Sequence, residues 1–410
     1  MSAGEPGVLI LADDLTGACD AGVAFAARGL ATHVELRDRP PAPLERGAVV
    51  SIDLASRMAD RDAIHRRVAE ALGGAGLRAA DELLLKIDST LRGPIGAHID
   101  AVFAMAGDRV AFVAAAVPSH GRTTVAGIQL VHGVAVDSTE AARDPHVPVG
   151  SSAIAAAVGR PSAQIGLATI RAGDSILRRA VDAALARRRI VIFDATEDAD
   201  LAAVVRVQTA FPQAFWVGAA GIAAQLAARR PRGATIDTGG LGRGPIAFVV
   251  GSPSAVAQAQ VRALAADGVA TEWIAPAQLL AGDRPQLAAL AAELRAGRDV
   301  ALALSPVLHR PPALVRADGG TELDRRFASL IEHLDGPPAT IFATCGGETT
   351  RAVCGVLGVR RLRLIEEPVP GVVRAQAADG ASRLLTKAGA FGDEQTLRAI
   401  RNHVRERRRL

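Results

Sequence analysis

Val8-Leu9-Ile10-Leu11-Ala12-Asp13-Asp14-Leu15-Thr16-Gly17-Ala18-Cys19-Asp20 is the stretch from which the rest of the chain is read. Five apolar residues without polar alternation read as a strand, Val8–Ala12, buried on both faces as strands of parallel sheets are. The small and apolar residues that follow read as a helix over Gly17–Arg28. Strand, polar loop and helix in that order open an α/β unit. An aspartate at the junction is a good helix N-cap, which accounts for one of the two acids. A second, adjacent acid offers a base or an acceptor for a ligand hydroxyl, so Asp13 and Asp14 are candidate functional residues.

The same alternation runs on through the chain. Strands are expected at His33–Leu36, Ala48–Ile52, Leu83–Ile87, Val110–Val117, Arg189–Phe193 and Phe215–Gly218, with helices at Arg61–Leu72, Asp174–Ala186 and Ala219–Ala228. A Gly-, Pro- and Arg-rich segment at Arg229–Gly244 reads as a linker. Beyond it a second series has strands at Ile246–Val250, Val269–Ile274, Val300–Leu304, Thr340–Ala343, Leu362–Ile365 and Arg383–Leu385. Helices are expected there at Ser254–Ala266, Pro285–Ala296 and Thr349–Leu357. The expected fold class is α/β, with two domains, 1–235 and 236–410, each a largely parallel sheet flanked by helices. Ligands of open α/β sheets bind beyond the carboxyl ends of the strands, and the unusual loops fall at such ends. An active site in the interdomain cleft is therefore expected.

Composition narrows the function classes. With 49% hydrophobic and 22% charged residues the chain can bury substantial cores. Ten Phe, two Trp and no Tyr leave few stacking platforms, and a formal charge of +4 is small for 410 residues, so nucleic acid is not an expected partner. The basic tail Arg405, Arg407, Arg408, Arg409 reads as a solvated helix end. Cys19, Cys345 and Cys354 have neither metal-type spacing nor a disulfide pattern, which fits a reducing compartment. The first residues carry no basic signal region, and Val8–Ala12 is too short to span a membrane. A cytoplasmic protein with small-molecule partners and no membrane partner is expected, and a homodimer is compatible with this reading.

Two lysines stand against 45 arginines, and both lie in loops rich in glycine or hydroxyls. An ammonium is a compact point charge suited to a phosphate or carboxylate. Lys86-Ile87-Asp88-Ser89-Thr90-Leu91-Arg92-Gly93 gathers two cations, an acid and two hydroxyls, a set suited to a small anionic, hydroxyl-rich molecule. Arg57, after the third strand, could grip a carboxylate, and Pro118-Ser119-His120-Gly121-Arg122-Thr123-Thr124 closes the fifth strand in a similar way. In the second half, Gly251-Ser252-Pro253-Ser254, Thr344-Cys345-Gly346-Gly347-Glu348-Thr349-Thr350 and Lys387-Ala388-Gly389-Ala390-Phe391-Gly392 each follow a strand. Glycines and helix N-termini let backbone N–H groups approach a phosphate, so a nucleotide site is favoured there. Neither a Walker-type loop nor a Gly-x-Gly-x-x-Gly fingerprint is present, which disfavours P-loop enzymes and Rossmann dehydrogenases.

These motifs, in this order, resemble the four-carbon acid sugar kinase family. The residues concerned are Ala-Asp-Asp-Leu-Thr-Gly-Ala-x-Asp, Lys-Ile-Asp-Ser-Thr-Leu-Arg-Gly, Pro-x-x-Gly-Arg-Thr, Gly-Ser and Gly-Gly-Glu-Thr. The resemblance implies ATP-dependent phosphorylation, with Mg²⁺, of threonate, erythronate or 3-oxo-tetronate. It implies a sugar-acid domain holding substrate through Asp13, Arg57, Lys86, Asp88, Ser89 and Thr90, and Arg92 and Arg122 complete the candidate set. It further implies a nucleotide domain holding ATP through Ser252, Gly346, Gly347, Glu348, Thr349 and Gly389, to which Lys387 is added. Asp14 or Asp88 is the candidate base, and Lys86 or Arg92 would neutralise the carboxylate or the moving phosphoryl group. The family's Pro-Ala-Phe-Pro-x-x-Gly-Arg loop reads here Ala115-Ala116-Val117-Pro118-Ser119-His120-Gly121-Arg122, without the aromatic. Pro253 and Ala257 also depart from the usual Cys, Ser and Thr after Gly251-Ser252. A non-catalytic nucleotide- or sugar-acid-binding regulator and an NAD-linked oxidoreductase are the alternative readings.

Overall fold

A computed structural model describes residues 6–36, 41–78, 81–144, 147–233, 244–282, 287–305, 322–378, 380 and 383–407. The chain forms two compact units, Met1–Leu30 with Pro40–Ala234 and Ala31–Arg39 with Thr235–Leu410. The strands are β1 (Val8–Ala12), β2 (Thr32–Glu35), β3 (Val49–Asp53), β4 (Glu82–Lys86), β5 (Val110–Ala114), β6 (Arg122–Val125), β7 (Ile128–Val131), β8 (Val134–Ala135), β9 (Ala163–Ile165), β10 (Ile190–Phe193) and β11 (Ala214–Gly218). They continue as β12 (Ile246–Val250), β13 (Ala270–Ile274), β14 (Val300–Leu304), β15 (Ile341–Cys345), β16 (Arg361–Val369), β17 (Val372–Ala377) and β18 (Arg383–Lys387).

In the first unit a parallel sheet has the order β3-β1-β4-β11-β5-β10-β9. Strands β1, β5, β10 and β11 are apolar throughout because both faces are covered. Leu9, Leu11, Leu83 and Leu85 pack with Ile64, Val68, Ile99 and Val102 of the helices Arg61–Ala75 and Ile95–Met105. Val8, Ile10, Leu84 and Trp216 face the other way, with Phe25, Ile222 and Leu226 of Leu15–Ala26 and Ala220–Arg229. Each such buried Leu, Ile, Val or Phe contributes roughly 1.5–3 kcal/mol. The register aligns Ala12 with both Asp53 and Lys86, and Lys86 with Gly218, so these carboxyl ends lie side by side.

A separate antiparallel sheet, β6-β7-β8, was not expected from the sequence. The Val110–Val117 strand ends instead at Ala114, and the chain turns into two successive hairpins. Ala126-Gly127 (φ 52 and 72) and His132-Gly133 (φ 50 and 79) supply their two-residue turns. Such turns need positive φ at both central residues, and a residue-Gly pair flanked by short apolar runs was the available signal.

In the second unit β13-β14-β12-β15-β18 are parallel neighbours, and β17, β16 and β2 extend that sheet antiparallel. The largely parallel character thus holds for five strands and stops at β18. The expected contiguous first domain is also corrected, because Thr32–Glu35 pairs with β16, with Glu35 ion-paired to Arg361 at 3.0 Å. Within the expected linker, residues 234–243 lie outside the described residues, as do 285–286 of the expected Pro285–Ala296 helix. No helix among the described residues is long and apolar enough to cross a membrane.

Candidate active site

The first unit gathers four cations and several acids at its strand ends. Asp13, following β1, is buried, and its backbone carbonyl accepts the amides of Ser56 (2.8 Å) and Arg57 (3.2 Å) from the loop after β3. Arg57 Nε and Nη2 donate to the two Asp13 oxygens at 2.8 and 3.0 Å, while Nη1 lies 2.9 Å from Asp14 Oδ2. Of the five N–H groups a guanidinium carries, three are thereby used. Arg57 is therefore no open carboxylate clamp; it is first the counter-ion of both acids, with two N–H groups to spare.

Asp14 caps the Leu15–Ala26 helix, accepting from Gly17 N and the Thr16 hydroxyl at 2.8 Å each. Burial raises its pKa, but Arg57, Lys86 and these hydrogen bonds outweigh that and hold it below the usual value. Asp88 is gripped harder, by Arg92 Nε (2.7 Å) and Nη2 (3.1 Å), the Arg92 amide (3.4 Å) and the Thr90 hydroxyl. Burial opposes ionisation there too, yet Arg92 and Arg57 hold Asp88 well below the usual carboxylate range. Both acids stay charged at neutral pH, and their oxygens are already occupied. That argues against either as the base. Among the described residues the Asp13 carboxylate accepts only from Arg57, using two of about four lone-pair positions, so it keeps the most room for a hydroxyl proton.

Lys86 is buried, with Nζ donating to Ile87 O at 2.9 Å and Asp14 beside it. Arg92 also reaches Asp144 at 3.1 Å. Arg122 is the first residue of β6. It is half-buried, and among the described residues its guanidinium, like the Lys86 ammonium, forms no ion pair and donates only to a backbone carbonyl, that of His120. Burial lowers its pKa, offset in part by Asp88 and Asp20. Gln129 on β7 ties this hairpin to the Lys86–Gly93 loop, donating to Ser89 O (2.9 Å) and Ala115 O (3.3 Å) while accepting from Thr124 at 2.6 Å. Gln129, buried behind the loop and not expected from the sequence, sets where Ser89 and Thr90 stand.

In the second unit, Val250, Cys345 and Lys387 end adjacent strands in register. Ser252, Gly346 and Gly389 converge beyond them. A Cβ on Gly389 would overlap the Ser252 hydroxyl and stand 2.9 Å from its Cβ; one on Gly346 would lie 3.5 Å from the Thr349 hydroxyl. Gly346 has φ 109, a conformation open to glycine, whereas Gly347 already belongs to the helix Gly347–Val356. Ser254 caps the second helix here, Ala255–Ala266, and donates to Gly389 O at 2.9 Å. Two helix N-termini and a side-chain-free floor make a cradle for anionic groups.

Two residues expected to contact nucleotide are otherwise engaged. Both Glu348 oxygens are held at 2.7 Å by Arg351. Lys387 is 1% exposed, and its ammonium points back at its own loop, to Ala388 O (2.9 Å), Cys345 Sγ (3.1 Å) and Gly389 O (3.5 Å). Its three N–H groups support the cradle from beneath rather than reaching a ligand. Arginine is too large for that space. Lys387→Arg is expected to cost about 1–3 kcal/mol through overpacking, read as a lowered denaturant midpoint at unchanged slope.

The comparisons agree with a chain built from these two halves. Residues 8–226 match the family of sugar-binding N-terminal domains and residues 247–397 that of nucleotide-binding C-terminal domains. Fold and site thus define a protein that joins a sugar-binding to a nucleotide-binding domain. The chain is 36% identical to the D-threonate kinase of Cupriavidus necator, covering 95% of this chain and 96% of that one. It is 33% identical to the D-threonate kinase of Bordetella bronchiseptica, over 99% of each. Other relatives are named D-erythronate kinase and 3-oxo-tetronate kinase. The solved structure of a Salmonella typhimurium LT2 protein, 22% identical, superposes with a TM-score of 0.76 over 96% of this chain and 98% of that one, which shows a common fold. The chain belongs to the four-carbon acid sugar kinase family.

Proposed function

We propose that the protein is an ATP-dependent kinase that phosphorylates a hydroxyl of a four-carbon sugar acid, with D-threonate the first substrate to test. The observation that carries this reading is the occurrence, in one chain, of a glycine-floored cradle at one set of strand ends and an acid–cation cluster at another. The full-length relatives named D-threonate kinase favour that acid.

In this reading Ser252, Gly346, Gly347, Thr349 and Gly389 receive the phosphates of ATP, with Lys387 holding their loop in shape. Asp13, fixed by Arg57, takes the proton of the attacking hydroxyl, while Lys86, Ser89 and Thr90 position the sugar acid. Phosphoryl transfer rests on positioning and charge neutralisation, which this preset network of ion pairs suits. No group of three His, Cys, Asp or Glu among the described residues is placed to hold a metal. That fits Mg²⁺ carried by phosphates and water with one or two carboxylates at most. Bound in that way, it would neutralise phosphate charge.

Arg122, whose guanidinium forms no ion pair among the described residues, takes the substrate carboxylate. Arg122→Gln should lower kcat/KM for the sugar acid by roughly 10–100-fold, the equivalent of a charge-assisted hydrogen bond of about 1.5–3 kcal/mol. Turnover of the corresponding neutral tetritol, which lacks the carboxylate, should hardly change. Equal losses on acid and tetritol would remove Arg122 from this role.

The overall reading is tested by ATP consumption with D-threonate, D-erythronate and 3-oxo-tetronate, with five- and six-carbon acids as controls. Consumption with a four-carbon acid is expected. Binding of ATP without consumption on any sugar acid would overturn it in favour of a regulator.

A further inference from the structure

His98 is a buried histidine, 2% exposed, on the helix Ile95–Met105 behind the loops after β3 and β4. Its Nδ1 lies 3.0 Å from the carbonyl of Pro94, the residue that ends the Lys86–Gly93 loop. Its Nε2 lies 2.7 Å from the hydroxyl of Ser56, which is 0% exposed and immediately precedes Arg57. A carbonyl only accepts, so Nδ1 carries the proton; Nε2 is then an acceptor, and the Ser56 hydroxyl donates to it. One ring thus ties together the loops after β3 and β4.

Both loops need such a tie. Ala55, one residue before Ser56, holds φ 49, a conformation costly for a residue with a side chain. It is kept there by Asp53 Oδ1, which accepts the Ala55 amide at 2.9 Å, and by buried Arg67, which donates to the carbonyls of Leu54 (3.3 Å) and Ala55. On the other side, Gly93 (φ 95) passes so close that a Cβ there would lie 3.4 Å from Arg57 Cγ and 3.6 Å from Asp13 Oδ2. The Asp13–Arg57 pair is therefore held between two loops whose spacing His98 bridges.

We infer that His98 is a positioning residue of the sugar-acid site: as the neutral Nδ1–H imidazole it clasps Ser56 to Pro94 and so sets Arg57 and Asp13 for the reaction. The inference rests on the kinase reading above. Burial disfavours the charged imidazole, with Asp13 and the Pro94 carbonyl opposing and Arg57 and Arg67 adding to the effect; the net pKa is lowered, consistent with a neutral ring. A structural histidine in a core would make no difference between the two substrates. A clasp on the loops after β3 and β4 would.

His98→Phe keeps the ring and removes both hydrogen bonds, and Ser56→Ala removes one hydroxyl with little risk to folding. With D-threonate, each should lower kcat/KM roughly a hundredfold, the order expected for a displacement of about 1 Å. KM for ATP should stay within twofold. His98→Gln, which can still meet the Ser56 hydroxyl, should recover about a tenth of wild-type activity or more. Adding Ser56→Ala to His98→Phe should cost little further, because one clasp is broken once. Nitrogen NMR of the wild-type imidazole should show the Nδ1–H tautomer, whatever the substrate. The proposal is overturned by an unaffected Ser56→Ala enzyme, by equal changes for both substrates, or by an Nε2–H ring. A wild-type protein inactive on all four-carbon acids would instead overturn the kinase reading, leaving the tautomer measurement to decide the clasp.

Discussion

Gly389→Val is expected to abolish ATP binding while leaving the fold of both units intact. At that position a Cβ already overlaps the Ser252 hydroxyl, and two methyls would fill the space above Gly346. Ser252 cannot simply swing aside, because its hydroxyl donates to Ser254 Oγ at 3.2 Å and Ser254 in turn donates to Gly389 O at 2.9 Å. Displacing this knot removes phosphate contacts made by backbone N–H groups, each a hydrogen bond to a charged acceptor of about 1.5–3 kcal/mol. Losing two amounts to about 3 kcal/mol or more, which is over a hundredfold in Kd. Calorimetric titration checks it: ATP binding should vanish and D-threonate binding should persist. Gly389→Ala should be intermediate. An unchanged ATP affinity in the folded valine variant would take this loop out of the nucleotide site.

Asp13→Asn should be equally damaging, but on the chemical step. If Asp13 accepts the hydroxyl proton, its removal forfeits about 10²–10⁴ in kcat, the usual contribution of a general base. The amide also presents an N–H toward Arg57, where the carboxylate offered two acceptors at 2.8 and 3.0 Å. A bidentate pair is lost, and the guanidinium keeps Asp14 as its remaining acid. KM for ATP should stay near wild type, since Asp13 lies in the sugar-acid unit. Asp14→Asn is the control: asparagine caps a helix as well as aspartate does, so it removes the charge beside Arg57 and keeps the cap, with a smaller fall in kcat. Should Asp14→Asn prove the more damaging in kcat at matched stability, the proton acceptor is Asp14.

Much of this site could be anticipated because the residues that build it are local. Asp13 and Asp14 directly follow a run of five buried apolar residues, so the end of β1 is marked by the change in polarity itself. The cluster from Lys86 to Arg92 is similarly announced at the end of β4. Glycines 346 and 389 stand next to strand ends, where a side chain would obstruct close approach of a ligand to backbone. The helix Ile95–Met105 escaped notice because Gly96 and a proline at its entry mask its periodicity, and with it went His98. The β6–β7–β8 hairpins were missed for a different reason. Their strands of two to four residues carry too little alternation to stand out, and only the positive-φ turns give them away.

The sequence alone thus determined the alternation of strands and helices, the two-part division of chemistry and the list of charged groups at the strand ends. These follow from burial periodicity, capping and the conformational freedom of glycine, all of which act over a few residues. Which way the charged groups point was decided only by the tertiary structure. Arg57 meets Asp13 across 44 positions, and Lys387 meets Cys345 across 42. Arg92 turns to Asp144 across 52, and Arg122 is left without an acid among the described residues. A long cationic side chain has several rotamers of similar energy, and in a partly desolvated site the nearest acceptor selects among them, because charge interactions strengthen as water is excluded. That acceptor is supplied by whichever strand lies alongside, and strand order is a property of the folded sheet, beyond any local run of residues.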